Sequence, residues 1–204
     1  MPFDAPDVAT AEQLDRSALL PIDFQRAFDL SWPRRWNGEL DNNGQALLAA
    51  WRKAGRTLIH VRHDSVEPES TLRPGQPHAF RPGFEPQAGE PVIAKSVNAA
   101  FIGTDLDLRL RRLAIDTLVV FHISTDMCVS TTVRVGANLG YRMVLVEDAC
   151  DCFDLPDDAG RVIRAEDGQA AHVATLRFEF AEVMRTQQVL DLLAELDRRN
   201  RACA

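Results

Sequence analysis

The sequence has no long apolar run. Its longest good candidate, residues 117–121, is strand-sized, far short of the ~18–20 residues a membrane helix needs. The first 20 residues carry Asp4, Asp7, Glu12 and Asp15, and no basic stretch leads into an apolar run. They do not read as a secretory signal. No CxxC pair occurs among the four cysteines, Cys128, Cys150, Cys152 and Cys203, so a zinc ribbon is not expected. Cys150 and Cys152 are too close together to close a useful loop, and reduced thiols in a cytoplasmic setting are the expectation. A basic excess is missing as well: 23 Lys+Arg against 30 Asp+Glu leave a net charge of −7. Nucleic acid and anionic membranes require the opposite sign, so neither is an expected partner. Repeats and low-complexity tracts are absent too.

What is present fits one folded domain spanning residues 1–204, with 1–16 as a loose arm or short helix. Hydrophobic residues make up 46% and charged residues 26% of the 204, ordinary values for a folded chain. Apolar runs at 17–23, 57–61, 91–95, 117–123, 143–147 and 178–183 predict six strands. Helical spacing predicts helices at 43–54, 104–113, 126–139, within 156–174, and at 187–198. Gly55 and Gly140 stand at two helix stops, and Thr104 is a candidate N-cap. Alternating strands and helices, with strands that are continuous apolar runs, predict a three-layer α-β-α fold around a six-stranded, mainly parallel sheet. Residues 64–91 hold most of the prolines and predict one long ordered excursion, a kind of segment that is usually functional.

In such sheets ligands bind at the carboxyl ends of the strands. Strand one ends in Asp23, strand three ends in Lys95, and the turn after strand four leads to Cys128. Each has a bland reading: a turn acid, a snorkelling lysine, a small buried thiol. Together at one edge they make a base, an electrostatic organiser and a nucleophile. A helix start beside the sulfur and a nearby lysine would both favour thiolate over thiol.

The fragments FQRAF after Asp23, KSVNAAFIGTDLDLRL from Lys95, and STDMCVSTTVRVGANLGYRMVLVEDAC resemble the isochorismatase-like cysteine hydrolases. That superfamily includes nicotinamidases, N-carbamoylsarcosine amidases and isochorismatases. The resemblance implies an Asp23, Lys95, Cys128 triad, and a cis peptide between Ile123 and Ser124. It also implies an oxyanion hole made by the Ser124 and Cys128 amides, pocket aromatics at Phe28 and Phe101, and assembly into a homodimer or homotetramer. The implied reaction is cleavage of a C–N bond in a small amide, carbamoyl or ureido compound through a thioester. Two alternatives stay open: a vinyl-ether hydrolase of the isochorismatase type, and a catalytically weakened small-molecule-binding member of the family. The chain departs from the family at two places, with Pro21 where an aliphatic residue is usual and His122 where glycine is usual. No cofactor is implied. Nicotinamidases hold a metal through an Asp and two His after strand two, but the Asp-x-His pattern is missing here. HVRHDS at 60–65 therefore reads as a solvated strand end, and no metal is expected. Arg34, Arg35, Arg73 and Arg81 hint at an anionic substrate, although surface arginines are commonly just solvated.

Overall fold

A computed structural model of the chain describes residues 10–31, 36–75 and 79–202. Among the described residues the strands are β1 (Ser17–Ile22), β2 (His60–His63), β3 (Val92–Lys95), β4 (Thr117–Ile123), β5 (Arg142–Asp151), β6 (Leu155–Pro156), β7 (Val162–Ile163) and β8 (Glu182–Met184). Six of them form one sheet in the order β3-β2-β1-β4-β5-β8, with every pairing parallel. Strands β1 and β4 are buried at every residue and lie at its centre. This is why they appear in the sequence as continuous apolar runs with no alternation. The two remaining strands, β6 and β7, form a separate antiparallel hairpin.

Helices cover both faces. Those in the first half are α1 (Ala11–Asp15), α2 (Ala27–Ser31), α3 (Leu40–Lys53) and α4 (Leu106–Arg112). After strand β4 come a five-residue π turn (Thr125–Val129), α5 (Ser130–Asn138), α6 (Ala165–Glu179) and α7 (Thr186–Ala202). Helices α3 and α7 pack together against one face of β5, and α5 and α6 pack against the other. No helix among the described residues is long and apolar enough to cross a membrane.

Helix ends follow local chemistry. Gly55 and Gly140, at φ +63° and +89°, are the left-handed residues that close α3 and α5. In each case the next residue bonds back to the last turn, Arg56 to the Trp51 carbonyl at 3.1 Å and Tyr141 to the Gly136 carbonyl at 3.0 Å. Helix α4 ends in the same motif on Ala114, at φ +53°, a stop that carries no glycine signal. The Thr104 hydroxyl accepts from the Leu106 N–H at 3.3 Å, so it caps a helix that starts two residues later than expected. The segment 156–174 is corrected: it holds the β6–β7 hairpin before α6 begins. Helix α6 then runs through Glu179 into the 178–183 segment expected as the sixth strand, leaving Phe178 exposed, and that strand forms later as Glu182–Met184.

The second strand is also corrected, from 57–61 to His60–His63. Leu19 N–H bonds to the Thr57 carbonyl and Asp23 N–H to the Val61 carbonyl. The intervening position on that side of β1 is Pro21, which has no N–H to donate. Regular pairing is interrupted there, and Leu58 makes only an isolated bridge to Leu19.

The long excursion is tied down at both ends of its return. Arg81 N–H bonds to the Phe24 carbonyl at 2.8 Å and Arg26 N–H to the Ala79 carbonyl at 2.9 Å. Phe84 stacks on Phe24 with ring centroids 4.0 Å apart. Near its end, Glu90 accepts two bonds from Arg52, at 2.7 and 2.9 Å, and one from the Gln87 N–H at 2.8 Å. The Arg52 guanidinium, chiefly, holds the Glu90 carboxyl down at about 2. This stabilisation is complete above the ordinary carboxyl value of 4.5 and is lost as pH falls toward 2. Glu90→Gln is expected to lower unfolding free energy at neutral pH by about 1–3 kcal/mol. Chemical denaturation at a series of pH values checks this, since wild type and variant should converge in acid.

Candidate active site

The chain leaves β1 toward β2 on one side and reaches β4 on the other. The crevice beyond the carboxyl ends of β1 and β4 is therefore the topological switch point of the sheet. Asp23 directly follows β1 at φ +58°, a left-handed conformation that aspartate tolerates. Lys95 is the last residue of β3, two strands away. Cys128 lies in the π turn after β4, where the expectation was an ordinary α-helix start. The Ile123–Ser124 peptide is cis. The Ser124 carbonyl accepts from the Met127 and Val129 N–H groups, both at 3.1 Å, and the second of these closes the wide i→i+5 turn. The Ser124 hydroxyl donates to Asp126.

These elements bring Asp23, Lys95 and Cys128 into contact. Lys95 Nζ lies 2.7 Å from Asp23 Oδ2 and 3.2 Å from Cys128 Sγ. The Lys95 and Asp23 side chains are both 0% exposed. Burial opposes the charge on Lys95, but the Asp23 carboxylate and the Cys128 sulfur outweigh it and raise the lysine above its ordinary value. Burial first, then the Asp23 charge, push the Cys128 thiol up as well, and Lys95 offsets them only in part. The expected lowering by lysine is present and offsets only part of that rise. Both oxygens of Asp23 are buried without a hydrogen bond among the described residues, and Oδ2 is held by the ion pair with Lys95.

His63 is the residue that the sequence reading missed. It is not a solvated strand end: its side chain is 12% exposed. Its Nδ1 sits 3.0 Å from Lys95 Nζ, 3.9 Å from Cys128 Sγ and 4.0 Å from Asp23 Oδ2. The register of β2 and β3 pairs His63 directly with Lys95. Burial, then the Lys95 charge, lower its pKa below the usual histidine value. Donor atoms of Asp23, His63 and Cys128 all lie within 4.8 Å of one another. The Lys95 ammonium touches all three and stands where a cation would.

A cavity of about 420 Å³ opens onto the sulfur. Phe28, Leu72, Met127 and Phe153 supply its apolar walls, while Ser65, Ser70, Ser96, Asn98 and Ser124 supply polar ones. Asn98 Oδ1 lies 3.7 Å from Cys128 Sγ. Ser65, Glu67, Ser70 and Leu72 come from the proline-rich excursion, which therefore walls the site. Phe28 lines the cavity as expected. Phe101 does not: its ring stacks on Tyr141, centroids 5.6 Å apart, away from the cavity lining. Glu67 is the only acidic lining residue, and no lysine or arginine lines the cavity among the described residues. Arg81 is clamped by Asp29 at 2.8 Å and by Asp41 at 2.7 and 2.6 Å, and Arg73 bonds to the Pro68 carbonyl. The hint of an anionic substrate loses both. Arg34 and Arg35 lie outside the described residues.

The two departures from the family pattern are neighbours. Pro21 pairs with Phe121, and Ile22 pairs with His122. His122 has φ +107°, a conformation that favours glycine. Its ring stacks on Phe24, centroids 3.3 Å apart, and its Nδ1 lies 2.7 Å from the Ile22 carbonyl. A neutral carbonyl accepts, so Nδ1 donates there. These contacts hold an L-residue in a conformation suited to glycine.

Sheet and site together are those of a three-layer α/β hydrolase fold with Asp23, Lys95 and Cys128 in contact at the strand ends. The family model described as the isochorismatase domain matches residues 17–188, and the chain belongs to that family of hydrolases. It is 35% identical over 179 residues to the isochorismatase family protein YrdC of Bacillus subtilis, covering 87% of this chain and 96% of that one. A solved structure assigned to the isochorismatase-family hydrolases, from Chromobacterium violaceum, is 43% identical with a TM-score of 0.85, covering 96% and 100% of the two chains. A cysteine hydrolase structure from Pseudomonas syringae is 25% identical with a TM-score of 0.84, covering 96% and 99%. Some relatives are named for an activity. A streptothricin hydrolase of Streptomyces noursei is 30% identical, with coverage of 70% and 57%. A ureidoacrylate amidohydrolase of Azorhizobium caulinodans is 29% identical, with coverage of 56% and 50%.

Proposed function

We propose that this protein is a cysteine amidohydrolase that cleaves a C–N bond in a small amide, carbamoyl or ureido compound. The observation that carries this reading is the contact of one buried ammonium with both the Asp23 carboxylate and the Cys128 sulfur, at the floor of the cavity. The streptothricin hydrolase and the ureidoacrylate amidohydrolase among the relatives support hydrolysis of this kind.

With the Cys128 thiol pushed up by burial and the Asp23 charge, attack is coupled to proton transfer. Asp23 takes the Sγ proton as sulfur bonds to the substrate carbonyl carbon. The N–H groups of Ser124 and Cys128 receive the oxyanion. Collapse of this adduct breaks the C–N bond, and the nitrogen leaves with the proton that Asp23 holds. A thioester remains on Cys128. Asp23, again ionised, takes a proton from water as it attacks the thioester, and sulfur leaves with that proton. Lys95 stays charged throughout and keeps the carboxylate aimed at the reacting atoms.

The test is ammonia or amine release from a panel of small amides, carbamoyl and ureido compounds. Given the lining charge, uncharged and cationic members are expected to be hydrolysed ahead of anionic ones. Rapid acid quenching during turnover should leave a mass increment on the peptide containing Cys128. Turnover with no such increment, together with full activity in Cys128→Ala, would overturn the acyl-enzyme route.

A further inference from the structure

We propose that His63 is a positioning residue of this site: its unprotonated Nδ1 is the third acceptor in a cradle that fixes the Lys95 ammonium between Asp23 and Cys128. The inference rests on the reading of Asp23, Lys95 and Cys128 as the reacting group.

A lysine ammonium has three N–H donors and no acceptor. The Lys95 side chain is wholly buried, so its donors must find partners within the protein. Three acceptors surround Nζ: Asp23 Oδ2 at 2.7 Å, His63 Nδ1 at 3.0 Å and Cys128 Sγ at 3.2 Å. His63 Nδ1 and Cys128 Sγ stand at hydrogen-bond geometry and Asp23 Oδ2 at ion-pair distance, so the ammonium faces three partners. With Lys95 charged, the tautomer follows. An ammonium offers no lone pair, so Nδ1 must accept, and the imidazole proton resides on Nε2. Donation from Nδ1 to Asp23 is excluded by the 4.0 Å separation.

This arrangement makes the cradle sensitive to protonation of His63. An imidazolium would direct an Nδ1–H at the ammonium and set two positive groups 3.0 Å apart. The charged and titratable groups facing the ring are Lys95 from β3, Asp23 beyond β1, Cys128 from the π turn, and Asp64 next in sequence. The two carboxylates favour protonation, while burial and Lys95 oppose it, and these two prevail. At neutral pH the acceptor is in place. In acid, protonation of His63 displaces Lys95, and Asp23 and Cys128 lose their common partner.

The experiment compares wild type, His63→Asn and His63→Leu, each first checked for cooperative thermal unfolding. Asparagine keeps an acceptor close to the Nδ1 position but does not titrate, whereas leucine keeps bulk and loses the acceptor. His63→Gln and His63→Ala replace either variant that does not fold. The first readout is the rate of Cys128 carbamidomethylation by iodoacetamide against pH, which needs no substrate. The second is kcat and KM for an amide taken from the panel.

His63→Leu should react about 10- to 100-fold more slowly at pH 8, with the loss in kcat and not in KM. His63→Asn should stay within about 5-fold of wild type there, with its acid limb shifted to lower pH. Alkylation profiles that superimpose for all three proteins would make His63 a bystander. An asparagine variant as slow as the leucine variant, with an unmoved acid limb, would equally overturn the cradle. Failure of the amidohydrolase reading looks different: wild type would release nothing from any amide in the panel, while the alkylation series still ranked the variants as stated.

Discussion

Cys128→Ala is expected to abolish hydrolysis of every amide that the wild-type protein accepts, by at least about 10³-fold in kcat, with the fold retained. Cys128 is 6% exposed in the main hydrophobic cluster, and alanine removes only the sulfur from a position beside the cavity. Cys128→Ser should fall as far. A hydroxyl holds its proton more tightly than a thiol, and Asp23 is too weak a base to remove it. The thiol itself is already pushed up by burial and the Asp23 charge, so little reserve remains for a poorer nucleophile. Steady-state assays on the best amide in the panel check the activity, and thermal unfolding checks the fold. Cys150 and Cys152 are 0% exposed and should not react with iodoacetamide in the native protein. Apart from any label on Cys203, a single carbamidomethyl group on the peptide containing Cys128, absent from Cys128→Ala, is the matching labelling result. Turnover above a few per cent in either variant would mean that sulfur is not the nucleophile.

Lys95→Met should destabilise the protein by about 3–5 kcal/mol at neutral pH, because it strands the Asp23 carboxylate as an unpaired buried charge. The pair is wholly enclosed, so water cannot take the ammonium's place without opening the site. Asp23→Asn combined with Lys95→Met removes both charges and should recover at least half of the loss, since the cost lies in the leftover charge and not in the missing contact. Both proteins should be inactive, which separates stability from catalysis. Urea unfolding midpoints, with slopes compared, provide the measurement. A loss of less than about 1 kcal/mol in the single variant would mean that Asp23 takes up a proton or swings to solvent on losing its partner.

The chemistry of the site was partly written in strand ends. Asp23, Lys95 and Cys128 each follow or end an apolar run, and a parallel sheet places all such ends at one edge. His63 was hidden by two histidines in one short strand. Three residues apart, His60 and His63 cannot share a face: His60 turns to Glu90 at 2.8 Å and His63 turns to the cavity. Nothing local says which does which. The proline-rich excursion was legible as ordered and functional, yet that its serines and Glu67 line the cavity is set by tertiary backbone bonds such as Asp64 N–H to the Lys95 carbonyl. Phe101 carried a pocket assignment from its motif, and tertiary packing gave its ring to Tyr141 instead.

The sequence by itself determined the layered parallel sheet, because fully buried strands must be continuous apolar runs and the segments between them keep helical spacing. It determined the helix stops at Gly55 and Gly140 but not the one on Ala114, whose left-handed φ no residue type announces. It placed the carboxylate, the ammonium and the thiol at one edge. Their protonation states were decided only by the tertiary structure. A helix start and a nearby lysine argue for thiolate, but burial and a carboxylate in the same enclosed space reverse the balance. Those two depend on which chain segments close over the site from 30 to 100 residues away, and a local reading of residue types contains no term for that distance.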